Sequence, residues 1–215
     1  EEEIAYLKSK GVEMNFEKAA YSINKGLWGT SVGGRETLQS KGWLPEEAWP
    51  TPLTQHQPQE ISLDFVGGEP VVLNGKKYDH PASLIADLQE LAGAYAIGRD
   101  IHVGDTIIGI KGRVGFEAAA PVVILKAHHA LEKHVLTKWQ LQWKEQLASF
   151  YGNWLHEGQI LDPVMRDIES FLSSSQSTVN GKVFIELHPY RFQILGIESA
   201  NDLMSSKFGK YGEMN

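Results

Sequence analysis

The sequence contains no cysteine. Disulfides, thiolate nucleophiles, zinc knuckles and iron–sulfur clusters are therefore excluded from its 215 residues. The absence is compatible with a reducing cytoplasm, the expected location. Positive charge is in deficit: 20 Lys and Arg against 27 Asp and Glu leave a formal charge of −7 and a pI near 5.6. That balance argues against a nucleic-acid partner or an anionic-membrane surface. No apolar run approaches the roughly 18 residues of a membrane-spanning helix, and the first residues do not follow the signal-peptide pattern. Phosphate-loop signatures are also missing. The paired glycines at 33–34 and 67–68 stand outside any strand–GxGxxG–helix context. Neither a GxSxG elbow nor another triad signature is recognised, so no catalytic residue is named.

The apolar share, 42%, and the charged share, 22%, are those of an ordinary globular chain, long enough for one or two domains with a real core. Glu1–Lys10 predicts the end of a helix, with acids in its first turn, lysines in its last and Gly11 as a stop. Asn15–Glu60 holds four prolines and Gly33-Gly34, which predicts irregular backbone. It also holds Trp28, Trp43 and Trp49, too many for a disordered linker. Ile61–Phe65 alternates as a strand. It turns at Gly67-Gly68 into 70–73 and again at Asn74-Gly75. Asp79 reads as the N-cap of a helix over 81–95 that Gly98 stops. A hairpin is predicted from 101–103 and 106–110 around a Gly104-Asp105 turn, with glycine first. Helices follow over 118–135, from the capping box Thr137/Gln140, and from Asp162-Pro163 to about Ser175. A last hairpin joins 183–187 to 191–197. The tail after Ser199 carries no clear signal. The result is an α+β fold with a mostly antiparallel sheet and several packed helices.

Two further features read as structural. The stripe Trp139, Trp143, Leu147, Phe150, Tyr151, Trp154 and Leu155 is expected to be core. His128 and Glu132 have the i, i+4 spacing of metal ligands, but no third ligand is evident and no metal is expected.

One stretch carries more. Tyr21-Ser22-Ile23-Asn24-Lys25-Gly26-Leu27-Trp28-Gly29-Thr30-Ser31 resembles the Y/W-S-x-D-x-N-L-x-x-x-S pattern of argininosuccinate synthase. Gly98-Arg99, Ile108–Arg113 and Phe116-Glu117 look like that family's GR…VENR…G-M/I-K-S-R-G-x-Y-E segment. Leu125–Glu132 is similar to its L-x-x-A-H-x-A-L-E helix, and Glu1–Gly11, Gly181–Val183 and Ile194–Ser199 fall in family order. The likeness implies an enzyme of arginine biosynthesis that ligates citrulline with aspartate as ATP becomes AMP and pyrophosphate. The family's S-G-G-L/F-D-T-S loop for ATP is nowhere in this sequence. The expectation is therefore a piece: residues 1–14 as the tail of a nucleotide-binding domain and 15–215 as the synthetase domain. ATP and Mg2+ would then be bound mainly by the N-terminal ATP-binding domain, with no cofactor in this piece. The piece alone would be inactive, and the whole enzyme would be a homotetramer. A second reading is a non-catalytic assembly domain that has lost citrulline binding.

By the same likeness Ser22 and Ser31 fall on the two serines that hydrogen-bond the amino-acid end of citrulline. Two other family ligands are changed: the glutamate position holds Gly104 and the tyrosine position holds Phe116. Asn24, Gly26 and Gly112 also depart from the pattern. Losing a carboxylate and a hydroxyl disfavours a free ammonium group, for which a charged hydrogen bond is worth roughly 1.5–3 kcal/mol. An α-N-acylated citrulline is the substrate this suggests, with Lys111 and Arg113 as candidate partners for an acidic acyl group. The alternatives are drift at a hairpin turn, or replacement of the lost carboxylate by Asp105.

Overall fold

The computed structural model describes residues 2–12, 21–206 and 209–212. The expected domain boundary at residues 14 and 15 lies outside the described residues. Helix α1 (Glu2–Ser9) has Glu2 and Glu3 in its first turn and Lys8 in its last, matching the helix dipole, and it buries no residue. Gly11 follows at φ 74°, the left-handed backbone that ends a helix cheaply.

Two antiparallel sheets form the body. The larger has the order β5-β4-β3-β8-β9, from strands β3 (Gln59–Val66), β4 (Glu69–Leu73), β5 (Lys76–Lys77), β8 (Gly181–His188) and β9 (Arg191–Glu198). On β3 and β8 the alternation Ile61, Leu63, Phe65 and Val183, Ile185, Leu187 faces one core. Helices α2 (Pro81–Gly93) and α3 (Ala119–Val135) close that core with Leu84, Leu88, Val123, Ala127 and Leu131. Asp79 is not the N-cap of α2. His80 is, its Nδ1 accepting from the Ala82 amide at 3.2 Å. The helix ends at Gly93, before the predicted stop.

The smaller sheet has the order β1-β2-β7-β6 and comprises β1 (Ser22–Gly26), β2 (Gly29–Gly33), β6 (Arg99–Asp105) and β7 (Lys111–Glu117). It corrects two expectations. The proline-rich front segment contains a regular hairpin, β1–β2, because its prolines begin only at Pro45. The β6–β7 turn is Thr106–Ile110, not Gly104-Asp105. Gly109 supplies the positive φ of 80°, and the Thr106 amide and hydroxyl both donate to the Ile110 carbonyl, at 3.0 and 2.6 Å. The β-branched run Ile107-Ile108 mimics a strand but is the exposed tip of this turn. Gly104 therefore sits within β6, opposite Gly112.

A second, small core of Val32, Leu44, Ala48 and Trp49 lies under this sheet. It is tied down by buried charge. The Arg99 side chain is 5% exposed and that of Glu117 2%, with Arg99 Nε 3.6 Å from Glu117 Oε2. Arg99 also donates to both Glu46 carboxylate oxygens (2.8 and 2.9 Å) and to the Thr51 carbonyl (2.6 Å). Its guanidinium lies 5.3 Å from the Trp49 ring and 5.9 Å from that of Tyr190, in the β8–β9 turn. The Thr51 hydroxyl and amide both donate to Glu117.

Helices α4 (Lys138–His156) and α5 (Pro163–Gln176) pack against each other and reach α3 through side-chain hydrogen bonds. The Thr137/Gln140 capping box and the Asp162 N-cap with Pro163 form as predicted. The expected core stripe does not: α4 has no buried residue, and Trp139, Trp143 and Phe150 are exposed. The physical reason is that α4 docks through polar contacts at one edge of that stripe, beyond Leu147. Lys144 reaches the fully buried Glu132 of α3 at 2.7 Å, and the Tyr151 hydroxyl donates to Glu169 of α5 at 2.8 Å. Glu132 also accepts from Gln176 of α5 at 2.8 Å, and the Gln176 carbonyl meets His128 Nε2 at 2.8 Å. Burial pushes the His128 imidazole below its ordinary pKa. In the tail, Ser205–Ser206 (β10) pairs with Gly209–Lys210 (β11).

Replacing Arg99 by Met leaves the Glu117 carboxylate buried with only Thr51 as a donor. Loss of one member of a buried pair costs about 3–5 kcal/mol. Urea denaturation of Arg99→Met is expected to show a loss in that range, and a change below about 1 kcal/mol would contradict the role given to the pair.

Candidate functional site

Strand alternation sorts the small sheet into two faces. The inner face carries Thr30, Val32, Arg99, Ile101, Arg113, Gly115 and Glu117 over the small core. The outer face carries all four residues predicted as substrate ligands. Ser31 pairs with Phe116, Ser22 with Gly33, and Gly104 with Gly112. Register adds three residues that the sequence reading did not single out as ligands. Asn24 opposes Ser31 and Asp100 opposes Phe116, so Asn24, Ser31, Phe116 and Asp100 form one cross-strand row over the whole sheet. His102, opposite Val114, stands on the same face in the next row toward Gly104. The missed signal was strand period two, hidden by the misplaced turn.

The row is polar at both ends and apolar in the middle. Asn24 Nδ2 donates to Ser31 Oγ at 3.5 Å. The half-buried Phe116 ring covers Gly29, where a Cβ would fall 2.4 Å from Cζ, and meets the His102 ring with centroids 4.9 Å apart. Asp100 is exposed and accepts from the Ile101 amide at 2.7 Å. Asn, Ser, His and Asp together offer hydrogen-bond donors and acceptors, one of them a carboxylate, to a small polar ligand.

Gly104 and Phe116 share this face but not one point. Their rows are four residues apart, about 13 Å along the strands. Around Gly104 the surface is bare: a Cβ there would meet nothing within 4 Å, and one at Gly112 would meet only Thr106 Cγ2, at 3.8 Å. Asp105 does not stand in for a carboxylate at position 104. It lies on the opposite face and is ion-paired with Lys111, its cross-strand partner. Lys111 and Arg113, considered above as partners of an acidic acyl group, also lie on that opposite face. Arg113 donates to the carbonyls of Gln39 and Gly42 and thereby holds the segment under the sheet. Gly29-Thr30-Ser31-Val32-Gly33 does carry the letters GxSxG, which the sequence reading passed over. It forms an extended strand rather than a strand–turn–helix elbow, so its serine is not raised as a nucleophile. Among the described residues, no group of three or more His, Asp or Glu is placed to hold a metal ion. No helix of the described residues is long and apolar enough to cross a membrane.

Comparison with known proteins places this face in context. Residues 21–215 match the family model described as "Arginosuccinate synthase C-terminal domain". The argininosuccinate synthase of Methanocaldococcus jannaschii is 35% identical over 216 residues, covering 99% of this chain and 54% of that protein. That of Xanthomonas campestris is 38% identical, covering 97% and 53%, and that of Dictyoglomus turgidum is 36% identical, covering 98% and 53%. The chain thus spans about half the length of the curated relatives it matches.

The open space at Gly104 has a measurable consequence. Gly104→Glu is expected to fold with a stability within about 0.5 kcal/mol of the parent, as surface changes usually do. Gly98→Ala is expected to destabilise strongly, because Gly98 sits at φ 81° and its Cβ would come 2.6 Å from the Ala118 backbone. Thermal unfolding of the two variants checks the contrast, and equal losses would contradict it.

Proposed function

The chain belongs to the argininosuccinate synthase C-terminal domain family, and from that premise we propose that it is the citrulline-handling part of an argininosuccinate synthase. In this reading the citrulline ureido oxygen is adenylated by ATP with release of pyrophosphate. The aspartate amine then bonds to the activated carbon and AMP leaves. ATP and Mg2+ are held mainly by an N-terminal ATP-binding domain that is the partner of this one, and the enzyme assembles as a homotetramer in the cytoplasm. The outer face of the small sheet holds citrulline by its amino-acid end, with Ser22 and Ser31 as hydroxyl partners, so that the ureido group is presented for attack. Positioning of that kind supplies much of the rate in such reactions. The observation that carries the reading is the cross-strand row of Ser31 and Phe116, with Ser22 on the same face.

The substrate's α-nitrogen is N-acylated in this proposal. What supports it is the bare Gly104–Gly112 pair, which leaves room beside the site, together with Asp105 turned away toward Lys111. His102, between that bare area and Phe116, offers a ring nitrogen to an acyl carbonyl. One observation favours a second reading. Asp100 opposes Phe116 on the same face and supplies a carboxylate for the free ammonium group of ordinary citrulline.

Turnover of citrulline and of N-acyl citrullines by the complete enzyme separates the two. An acylated substrate is expected to win in kcat/KM by about one to two decades, the worth of one charged hydrogen bond. Preference for free citrulline that is lost in Asp100→Asn would overturn the acyl proposal in favour of the second reading. The 215-residue chain alone is expected to form no AMP from ATP, since it carries no phosphate-binding loop. AMP formation by the purified chain would contradict this division of labour.

A further inference from the structure

Half-buried Ser31 stands between two neighbours in its cross-strand row. Phe116, on β7, offers it only a hydrocarbon ring. Asn24, on β1, is the polar neighbour, with Nδ2 donating to Ser31 Oγ at 3.5 Å. A hydroxyl is one donor and two acceptors, and its hydrogen turns to suit its partners. What Asn24 presents therefore decides which way the Ser31 hydrogen points.

With its amide nitrogen aimed at Oγ, Asn24 takes up a lone pair of Ser31 and leaves the hydroxyl hydrogen to point off the sheet. An acid at position 24 would do the reverse. A carboxylate only accepts, so it would draw the hydroxyl hydrogen to itself and turn the lone pairs of Oγ outward. The first arrangement suits an acceptor on the ligand, and the second suits an ammonium group. The pattern that residues 21–31 resemble has an acid at this position, where this chain has asparagine.

We propose that Asn24 is a positioning residue that holds Ser31 as a hydrogen-bond donor. The outer face then takes a carbonyl or carboxylate oxygen of its substrate at Ser31 and disfavours an ammonium group there. The inference rests on the reading of Ser31 as a substrate contact and adds the kind of atom that Ser31 meets. Hydrogen bonds that orient such a contact often start long and tighten as the substrate binds. Charge agrees with this direction. With Asn24 and Gly104 at their positions, the outer face of the four strands keeps a single carboxylate, that of Asp100, at the far end of the row from Asn24.

Turnover by the complete enzyme tests the role of Asn24. The residue is exposed, so Asn24→Asp is expected to leave the circular dichroism unchanged. It is expected to raise KM for the preferred substrate about tenfold, the worth of one hydrogen bond, with kcat within about twofold of the parent. A new negative charge also acts on the substrate directly, so the same substitution is made in Ser31→Ala. There the rise is expected to shrink to about twofold or less, because the hydroxyl that Asn24 orients is gone. Two substrates identify the oxygen. A rise confined to N-acetylcitrulline assigns the acyl carbonyl, and an equal rise with free citrulline assigns the α-carboxylate. Ser31→Ala with KM unchanged for both substrates would overturn the substrate contact and the role of Asn24 together. Were Ser31→Ala to raise KM while Asn24→Asp did not, or were Asn24→Asp to act equally with and without the Ser31 hydroxyl, the contact would stand and the role of Asn24 would be overturned.

Discussion

Arg99 and Glu117 face each other across the β6–β7 ladder, almost sealed from water. Two charges in that setting persist only when their remaining donors and acceptors are satisfied. The segment from Glu46 to Thr51 satisfies most of them, through Glu46 and through the hydroxyl, amide and carbonyl of Thr51, while Arg99 Nε faces Glu117 at 3.6 Å without a hydrogen bond. The pair therefore fixes where that irregular segment runs, and with it Trp49 and the small core. Tyr190, near the same guanidinium, brings in the turn of the larger sheet. With the inner face of the small sheet committed in this way, its outer face is left for function. Arg113 extends the arrangement by fastening the Gln39–Gly42 backbone underneath. The basic residues of this hairpin serve architecture, and the short polar residues on its other side are the ones proposed for recognition.

The outer face then has an economical logic. Strand pairing sets Asn24, Ser31, Phe116 and Asp100 in one row with no loop to position them, and sites on regular elements hold their geometry more firmly than sites on loops. Glycines at 29, 104 and 112 remove side chains where the Phe116 ring and the proposed substrate need room. Glycine at 104 leaves that part of the surface open, since a Cβ there would meet nothing within 4 Å.

The helical half depends on a different buried charge. Glu132, without exposed surface, receives Lys144 from α4 and Gln176 from α5, so one carboxylate gathers three helices. Polar docking of this kind orients α4 without consuming its apolar stripe. Trp139, Trp143 and Phe150 stay outside, and the same helix that looks like core in its residue pattern becomes a surface with unused hydrophobic area.

Much of the local structure was legible in the residues themselves. Caps at Thr137 and Asp162, the glycine turns at 67–68 and 74–75, and the alternation of Ile61, Leu63 and Phe65 all act over a few residues, so the chain dictates them directly. Family order likewise singled out Ser22, Ser31, Gly104 and Phe116, which strand pairing sets on one face of the small sheet. What only the tertiary structure decided was direction. Periodicity shows that α4 has an apolar stripe but not which way it faces, because that depends on where Glu132 and Glu169 await Lys144 and Tyr151. The letters Gly104-Asp105 fit a turn as well as a strand, and only pairing with Lys111-Gly112 makes them strand and sends Asp105 to the opposite face. The absence of cysteine was complete in the sequence. The partnership of Arg99 with Glu117, which binds Trp49 and the Glu46–Thr51 segment to this fold, required residues far apart in the chain to meet away from water.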